Sequence, residues 1–119
     1  MQNYKELKVW EKSHQLTLMV YQVTSSFPKE EIYALTSQIR RAAYSIPCNL
    51  AEGCGRKTQK DLAKFLQYSL GSANETEYFL LLSCDLKYIS EKEHKELEKI
   101  INEIKAMLIA LIAKVRSTA

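Results

Sequence analysis

The sequence predicts an all-α fold: an up-down-up-down antiparallel four-helix bundle, formed as a single domain by residues 1–119. Three observations support this. The 119 residues are enough for one hydrophobic core of ordinary size. Apolar residues recur at spacings of three and four in four segments, which is the period of an amphipathic helix. The connections between these segments are about two to six residues long, so neighbouring helices should be antiparallel.

The first helix is predicted from about Leu7 to Thr24. Two neighbouring apolar stripes run along it, the first formed by Leu7, Trp10, His14, Thr17 and Tyr21 and the second by Val9, Leu16, Val20, Val23 and Phe27. One stripe suffices for packing within the bundle. The other predicts a contact with a neighbouring subunit, unless the bent second helix of the same chain curls over it. His14 is predicted to be a packed residue, because no second metal-ligating residue accompanies it.

The second helix is predicted to begin with Pro28 in its first turn, because proline suits that position. Its apolar stripe continues beyond Pro47, so this proline is predicted to bend the helix rather than end it. Gly53 and Gly55 are predicted to end it, because glycine adopts the left-handed C′ conformation at little cost.

The third helix is predicted to begin at Thr58, which is spaced from Asp61 like the residues of a capping box. Gly71 lies in mid-helix, where glycine costs about 1 kcal/mol relative to alanine, so a close approach of another helix is expected there. Residues 79–82 are apolar on every side of the helix. This predicts a subunit contact on the outer side.

The fourth helix is predicted to begin at Ser90, with Glu93 completing a capping box. Apolar residues then alternate at spacings of four and three, as in the seam of a left-handed bundle. They are Leu97, Ile101, Ile104, Leu108, Leu111 and Val115.

The sequence predicts a cytoplasmic protein with reduced thiols. Its first residues lack a hydrophobic signal region, and no apolar run approaches the roughly 18–20 residues of a membrane span. Cys48, Cys54 and Cys84 lack the Cys-x-x-Cys spacing of a zinc or redox site.

No enzyme motif is present, and the sequence predicts neither a catalytic site, a cofactor nor a metal. The only histidines are His14 and His94, in different helices, and neither has a partner at the spacing of a catalytic motif. Glu91 and His94 have the Glu-x-x-His spacing of di-metal bundles. Such a centre requires that motif twice and two further inward-facing glutamates, which the other helices do not supply with histidine.

The charge distribution predicts a surface for nucleic acid. The net charge is only +3, but residues 1–64 contain ten basic and six acidic side chains. The candidate nucleic-acid-binding residues are Arg40, Arg41, Arg56, Lys57, Lys60 and Lys64. Few aromatic residues interleave with them, mainly Tyr44 and Tyr68, so base stacking should be minor and sequence specificity weak.

These cations also have a purely structural interpretation. Glu75 or Glu77 on the third helix could pair with Arg40 or Arg41. Adjacent helical residues point about 100° apart, so one acidic neighbour cannot satisfy both arginines. The cations of residues 56–64 are equally compatible with a solvated turn.

Three segments also carry a family resemblance: Gln38-Ile39-Arg40-Arg41, Ser45-Ile46-Pro47 and Asn49-Leu50-Ala51-Glu52-Gly53. The chain resembles the four-helix-bundle proteins encoded in intervening sequences of bacterial 23S ribosomal RNA genes, the S23 ribosomal protein-like family. Relatives of that family include the accessory variability determinant of diversity-generating retroelements. The resemblance extends from Tyr4 to Leu108, although Ala34 replaces a usual glycine, and Thr76 and Tyr78 interrupt a usual Glu-Leu-Glu-Thr. It implies a homopentamer.

We therefore expect a non-enzymatic, oligomeric bundle that binds nucleic acid, RNA or DNA, and above all structured RNA or a ribonucleoprotein. Two alternatives remain. The first is a protein–protein interaction scaffold, as the retroelement relatives' association with a reverse transcriptase implies. The second is an enzyme whose site is shared between subunits.

Overall fold

A computed structural model describes residues 2–119 as four α-helices with two short 3₁₀ turns. The helices are α1 (Lys8–Thr24), α2 (Leu35–Cys54), α3 (Gln59–Asp85) and α4 (Glu91–Ser117), and the 3₁₀ turns are Tyr4–Glu6 and Lys29–Glu31. The molecule measures 45 × 24 × 20 Å. Among the helices that contact one another, α2 and α3 pack most extensively and α1 and α4 least. The predicted all-α four-helix fold is confirmed.

The core lies along the common axis and is made of the apolar stripes that the sequence shows. Each helix contributes side chains with almost no exposed surface: Leu16, Val20, Ile39, Ile46, Leu50, Leu66, Leu80, Ile101, Ile104 and Leu108. In α1 the stripe that contains Leu16 enters the core, whereas Tyr21 of the other stripe is exposed. His14 stacks on Trp10, with 5.1 Å between ring centroids, and is a packed residue as predicted.

The predicted beginning of α2 is wrong. Pro28 precedes a 3₁₀ turn, and α2 begins only at Leu35 because the backbone of Ala34, at φ −124° and ψ −108°, is not helical. The side chain of Glu31 stabilises this turn. Its carboxylate accepts a hydrogen bond from the Tyr88 hydroxyl at 2.9 Å and a long one from the Leu35 N–H at 3.4 Å.

The glycines at the end of α2 do not adopt the predicted left-handed conformation. Gly53 lies inside the helix, and Gly55 has φ −86° and ψ −4°. Gly53 serves a different purpose, the close packing of α2 on α3. A Cβ added to Gly53 would lie 2.9 Å from the Phe65 Cβ and 3.1 Å from a Leu62 methyl group.

Gly71 has the opposite surroundings. A Cβ added there would meet nothing within 4 Å, so the expected close approach of another helix does not occur within the chain. The adjoining segment, residues 79–82, is divided: Leu80 is buried, and Leu81 is exposed.

Helix α2 continues through Pro47, which is buried within it. Proline lacks the N–H that would bond to the carbonyl of Ala43, four residues earlier. The hydroxyl of Thr17 on α1 lies 3.3 Å from that carbonyl oxygen and supplies a donor from outside the helix. The bend at Pro47 stays a prediction.

Thr58 caps α3 and Ser90 caps α4 as predicted, but the reciprocal capping box forms only at α4. The Thr58 hydroxyl accepts a hydrogen bond from the Asp61 N–H at 3.1 Å. Ser90 and Glu93 form a reciprocal capping box, with bonds of 3.0 and 2.9 Å. Both caps satisfy N–H groups that lack a partner within their helix.

Lys87 ends α3 in a left-handed conformation, with φ 64°. The Lys87 N–H donates to the Cys84 carbonyl and the Tyr88 N–H to the Ser83 carbonyl, each at 2.9 Å, which is the Schellman pattern. Among residues 2–119, Lys87 is the one non-glycine residue with positive φ.

Lys87→Gly is therefore expected to raise the free energy of unfolding by about 0.5–1 kcal/mol, because glycine avoids the steric cost of this conformation. Asp85→Gly is the matched control. It places glycine in the last turn of α3, where a loss of up to about 1 kcal/mol is expected. Urea titration followed by circular dichroism measures both changes. A loss of stability in Lys87→Gly would contradict the assigned cap.

Candidate nucleic-acid interface

At one end of the bundle, the N-termini of α1 and α3 lie beside the C-termini of α2 and α4. The Gln2 N–H donates to the Cys54 carbonyl at 3.4 Å, which joins the start of the chain to the end of α2. The Gln59 amide donates to the Thr118 hydroxyl at 3.0 Å, which joins the start of α3 to the end of α4.

We call this end the basic end. It carries eight cations, which are Lys5, Lys8, Arg56, Lys57, Lys60, Lys64, Lys114 and Arg116, and four carboxylates, which are Glu6, Glu11, Glu52 and Asp61. The opposite end, formed by residues 29–41 and 85–98, contains six cations and seven carboxylates. The surplus of cations therefore lies at the basic end.

The six candidate residues do not form one patch. Arg56, Lys57, Lys60 and Lys64 lie at the basic end. Arg40 and Arg41 precede Arg56 by about fifteen positions along α2, which corresponds to roughly 22 Å at 1.5 Å per residue. The two arginines are therefore a separate feature.

Arg40 is occupied within the chain. Its guanidinium lies over the Tyr21 ring, 4.6 Å from the centroid, and donates to the Thr24 hydroxyl at 2.8 Å and to the Tyr21 carbonyl at 3.4 Å. These contacts place a positive charge at the C-terminus of α1, where the helix dipole favours it. Arg40 therefore has a structural role, and Glu77, one of its expected partners, pairs with Lys105 at 3.0 Å instead.

Arg41 differs from its neighbour. It is exposed, and within residues 2–119 no carboxylate or hydrogen-bond acceptor contacts its guanidinium. Adjacent helical residues point about 100° apart, so the contacts that occupy Arg40 leave Arg41 free.

Phe65 organises the cations at the start of α3. The Arg56 guanidinium lies 4.7 Å from the centroid of the Phe65 ring, and the Lys64 ammonium lies 5.6 Å from it. Tyr68 meets the same ring nearly at a right angle, with 5.4 Å between centroids. The close approach of α2 at Gly53 holds Phe65 in place, so the cluster has a rigid base.

Arg116 is a member of the site that the sequence reasoning missed. Its guanidinium donates to the Gln67 amide oxygen at 3.3 Å, which places it over the first turns of α3. The signal was available, because an antiparallel bundle brings the end of α4 beside the start of α3. Arg116 and the first turns of α3 border a cleft of about 530 Å³, which we call the Tyr68 cleft. It is lined by Lys60, Asp61, Ala63, Lys64, Gln67, Tyr68, Arg116 and Ala119.

The ion pairs of the described residues lie outside the basic end. Lys12 bonds to Glu103 at 2.6 Å, Lys105 to Glu77, and His94 approaches Glu98. The hydrogen bond and charge of Lys12 lower the pKa of Glu103. In the part of the chain that the structure describes, none of the eight cations of the basic end has a carboxylate within ion-pair distance.

Two further titratable groups, a thiol and a phenol, have shifted pKa values. Burial raises the pKa of the Cys54 thiol, and a protonated thiol is a poor nucleophile. The hydrogen bond to Glu31 raises the pKa of Tyr88. Across residues 2–119, histidine, cysteine, aspartate and glutamate form no group of three or more that could hold a metal ion. No helix in the same range has the length and apolar character needed to span a membrane.

The fold and the charge distribution define an all-α four-helix-bundle protein with one basic end. The sequence pattern of the family described as 23S rRNA-intervening sequence protein matches residues 5–110. Since this match covers most of the sequence, the chain belongs to the family of 23S rRNA-intervening sequence proteins. The resemblance noted from the sequence motifs is thereby confirmed.

The chain is also similar to a solved structure, the crystal structure of a protein of unknown function from the S23 ribosomal protein family of Bacteroides thetaiotaomicron. The two are 27% identical in sequence, and the TM-score is 0.79 over 87% of this chain and 97% of the other. No curated protein matches the sequence.

Proposed function

We propose that this protein is a non-enzymatic, oligomeric bundle that binds structured RNA or a ribonucleoprotein through its basic end. One observation carries the proposal. Eight cations lie at that end, on three helices, in the N-terminal segment and in the connection between α2 and α3, with only four acidic side chains among them. None of the eight forms an ion pair within the described residues. Unpaired cations that converge on one surface attract the phosphates of nucleic acid.

Oligomerisation would multiply this surface. Several large apolar side chains are exposed on the outer faces of the helices, namely Leu18, Tyr78, Leu81 and Ile109. A homo-oligomer would cover these side chains and place several basic ends on one particle. We infer that the oligomer is the pentamer that the family resemblance implies. Repetition of a weak site raises the overall affinity without any new contact.

The same apolar side chains favour the second candidate function, a protein–protein scaffold without direct contact to nucleic acid. The two functions differ in their response to salt. Phosphate contacts release counterions and weaken steeply as salt rises, whereas an apolar contact changes little. For either function we infer a cytoplasmic protein, in keeping with its three free cysteines.

The test compares two quadruple variants that remove equal charge. The first changes Arg56, Lys57, Lys60 and Lys64 to glutamine, and the second changes Lys29, Lys92, Lys95 and Lys99, which are exposed lysines outside the basic end. Binding of a labelled structured RNA, measured by fluorescence anisotropy at two salt concentrations, should weaken at least about tenfold in the first variant only.

The salt slope provides an independent readout. At roughly 0.7 per phosphate contact, the first variant should lose up to about three units of slope. Circular dichroism and light scattering establish that both variants keep their fold and oligomeric state. If both bind like the wild type, or if the wild type does not bind at low salt, the nucleic-acid function is wrong and the scaffold takes its place.

A further inference from the structure

We propose that the Tyr68 cleft seats one unpaired nucleotide, with its base stacked on Tyr68 and its flanking phosphates held by the surrounding cations. This inference rests on the proposed function and deepens it by naming the substrate class. The ligand of the basic end would be RNA with an unpaired segment, rather than a continuous duplex.

Tyr68 is an aromatic ring left open on a charged surface. Half of it is exposed, at 50%, although the neighbouring positions of α3, Leu66 and Ser69, are fully buried. Its contact with Phe65 supports the ring from one side only. The scarcity of aromatic residues among the cations predicts little stacking overall. One open ring with a fixed position is nevertheless a stacking platform, and each base has a π face that fits it.

The cations around Tyr68 come from two helices. Lys60 and Lys64 precede it by eight and four residues, so the three side chains follow one face of α3 at intervals of about 6 Å. Arg116 faces them from α4. Its bond to Gln67 uses one of five guanidinium N–H groups and leaves others for a phosphate.

The dimensions of the cleft also agree with a nucleotide. Its volume of about 530 Å³ falls within the range of small-molecule sites, roughly 300–1,000 Å³. Its lining includes three cationic side chains, Lys60, Lys64 and Arg116, and one acidic side chain, Asp61, so cations predominate among its charged side chains. Within a duplex the bases are stacked on one another and their faces are inaccessible. An unpaired nucleotide can stack on Tyr68, whereas a base inside a duplex cannot.

The experiment uses two labelled RNAs of equal length, a single strand and a blunt duplex, with the full-length protein. Tyr68→Leu should weaken binding of the single strand about 5- to 100-fold and leave the duplex within about twofold, because stacking contributes to the first alone. The salt slope should not change, since no charge is removed. Tyr68→Phe keeps the ring and should bind like the wild type.

Tyr33→Leu is the matched control, since Tyr33 is also an exposed tyrosine, at 93%, but lies outside the cleft, just before the start of α2. It should bind both RNAs like the wild type. A loss as large as that of Tyr68→Leu would overturn the assignment of the cleft. An equal loss for both RNAs, no loss in Tyr68→Leu, or a loss in Tyr68→Phe would overturn the stacked base.

Failure of the inference is distinguishable from failure of the proposed function. If the wild type binds neither RNA, both are wrong. If it binds both RNAs with a steep salt slope and Tyr68→Leu changes nothing, only the nucleotide seat is wrong. If Tyr68→Leu does not fold, a single strand containing 4-thiouridine is photocrosslinked to the wild type instead. Crosslinks to residues 60–68 or 116 support the nucleotide site, and crosslinks that all fall elsewhere overturn it.

Discussion

Thr17→Val is expected to lower the free energy of unfolding by about 1–3 kcal/mol, which is the cost of leaving a buried polar group without a partner. The group in question is the carbonyl of Ala43, whose helical donor is missing because residue 47 is proline. The Thr17 hydroxyl lies 3.3 Å from that oxygen and 2.8 Å from the Ser13 carbonyl oxygen of its own helix, so one proton serves two acceptors.

A double-mutant cycle isolates this contact. In Pro47→Ala, the new N–H of residue 47 can donate to the Ala43 carbonyl, as in an ordinary helix. Thr17→Val should therefore cost less in that background than in the wild type, by about 0.5 kcal/mol or more. Urea unfolding of the four proteins measures the difference. An additive cycle would show that the hydroxyl does not compensate for the proline.

Thr36→Val is the matched control for the first change. Thr36 is also buried, but its hydroxyl has no hydrogen-bond partner among the described residues. Removing an unsatisfied buried hydroxyl should leave stability unchanged or raise it. Equal losses at the two positions would mean that the loss in Thr17→Val comes from altered shape rather than from the hydrogen bond.

The parts of the fold that the sequence predicts well are those decided locally. The stripes of α2, α3 and α4 and the caps at Thr58 and Ser90 depend on spacing and on side chains within one turn. The beginning of α2 depends instead on Glu31, whose carboxylate is held by Tyr88, 57 positions away. The apolar pattern of residues 28–35 therefore cannot predict a contact with a residue so far away in sequence.

The candidate site shows the same division. The cations of residues 56–64 are neighbours in sequence and remain together in the structure. Arg40 is a candidate on its charge alone, but the end of α1 lies beside it and binds its guanidinium. Arg116 is 60 positions from Arg56 in sequence. Only the antiparallel arrangement of α3 and α4 brings it to the basic end.

Gly53→Ala and Gly71→Ala are expected to change stability in opposite directions, although each replaces a helical glycine with the best helix former. At Gly71 the added methyl group meets nothing within 4 Å, so the gain in helix propensity, up to about 1 kcal/mol, should be retained. At Gly53 the methyl group would lie 2.9 Å from the rigid Cβ of Phe65. Overpacking of this kind costs about 1–3 kcal/mol, so we expect a net loss.

Thermal and urea unfolding at a protein concentration of fixed oligomeric state measure both changes. Since Phe65 also supports Arg56 and Tyr68, Gly53→Ala should weaken RNA binding as well as stability, whereas Gly71→Ala should leave binding unchanged. A gain of stability in Gly53→Ala would contradict the close packing of α2 on α3. A loss in Gly71→Ala would instead indicate that a second chain approaches α3 at this glycine, as the sequence led us to expect of another helix.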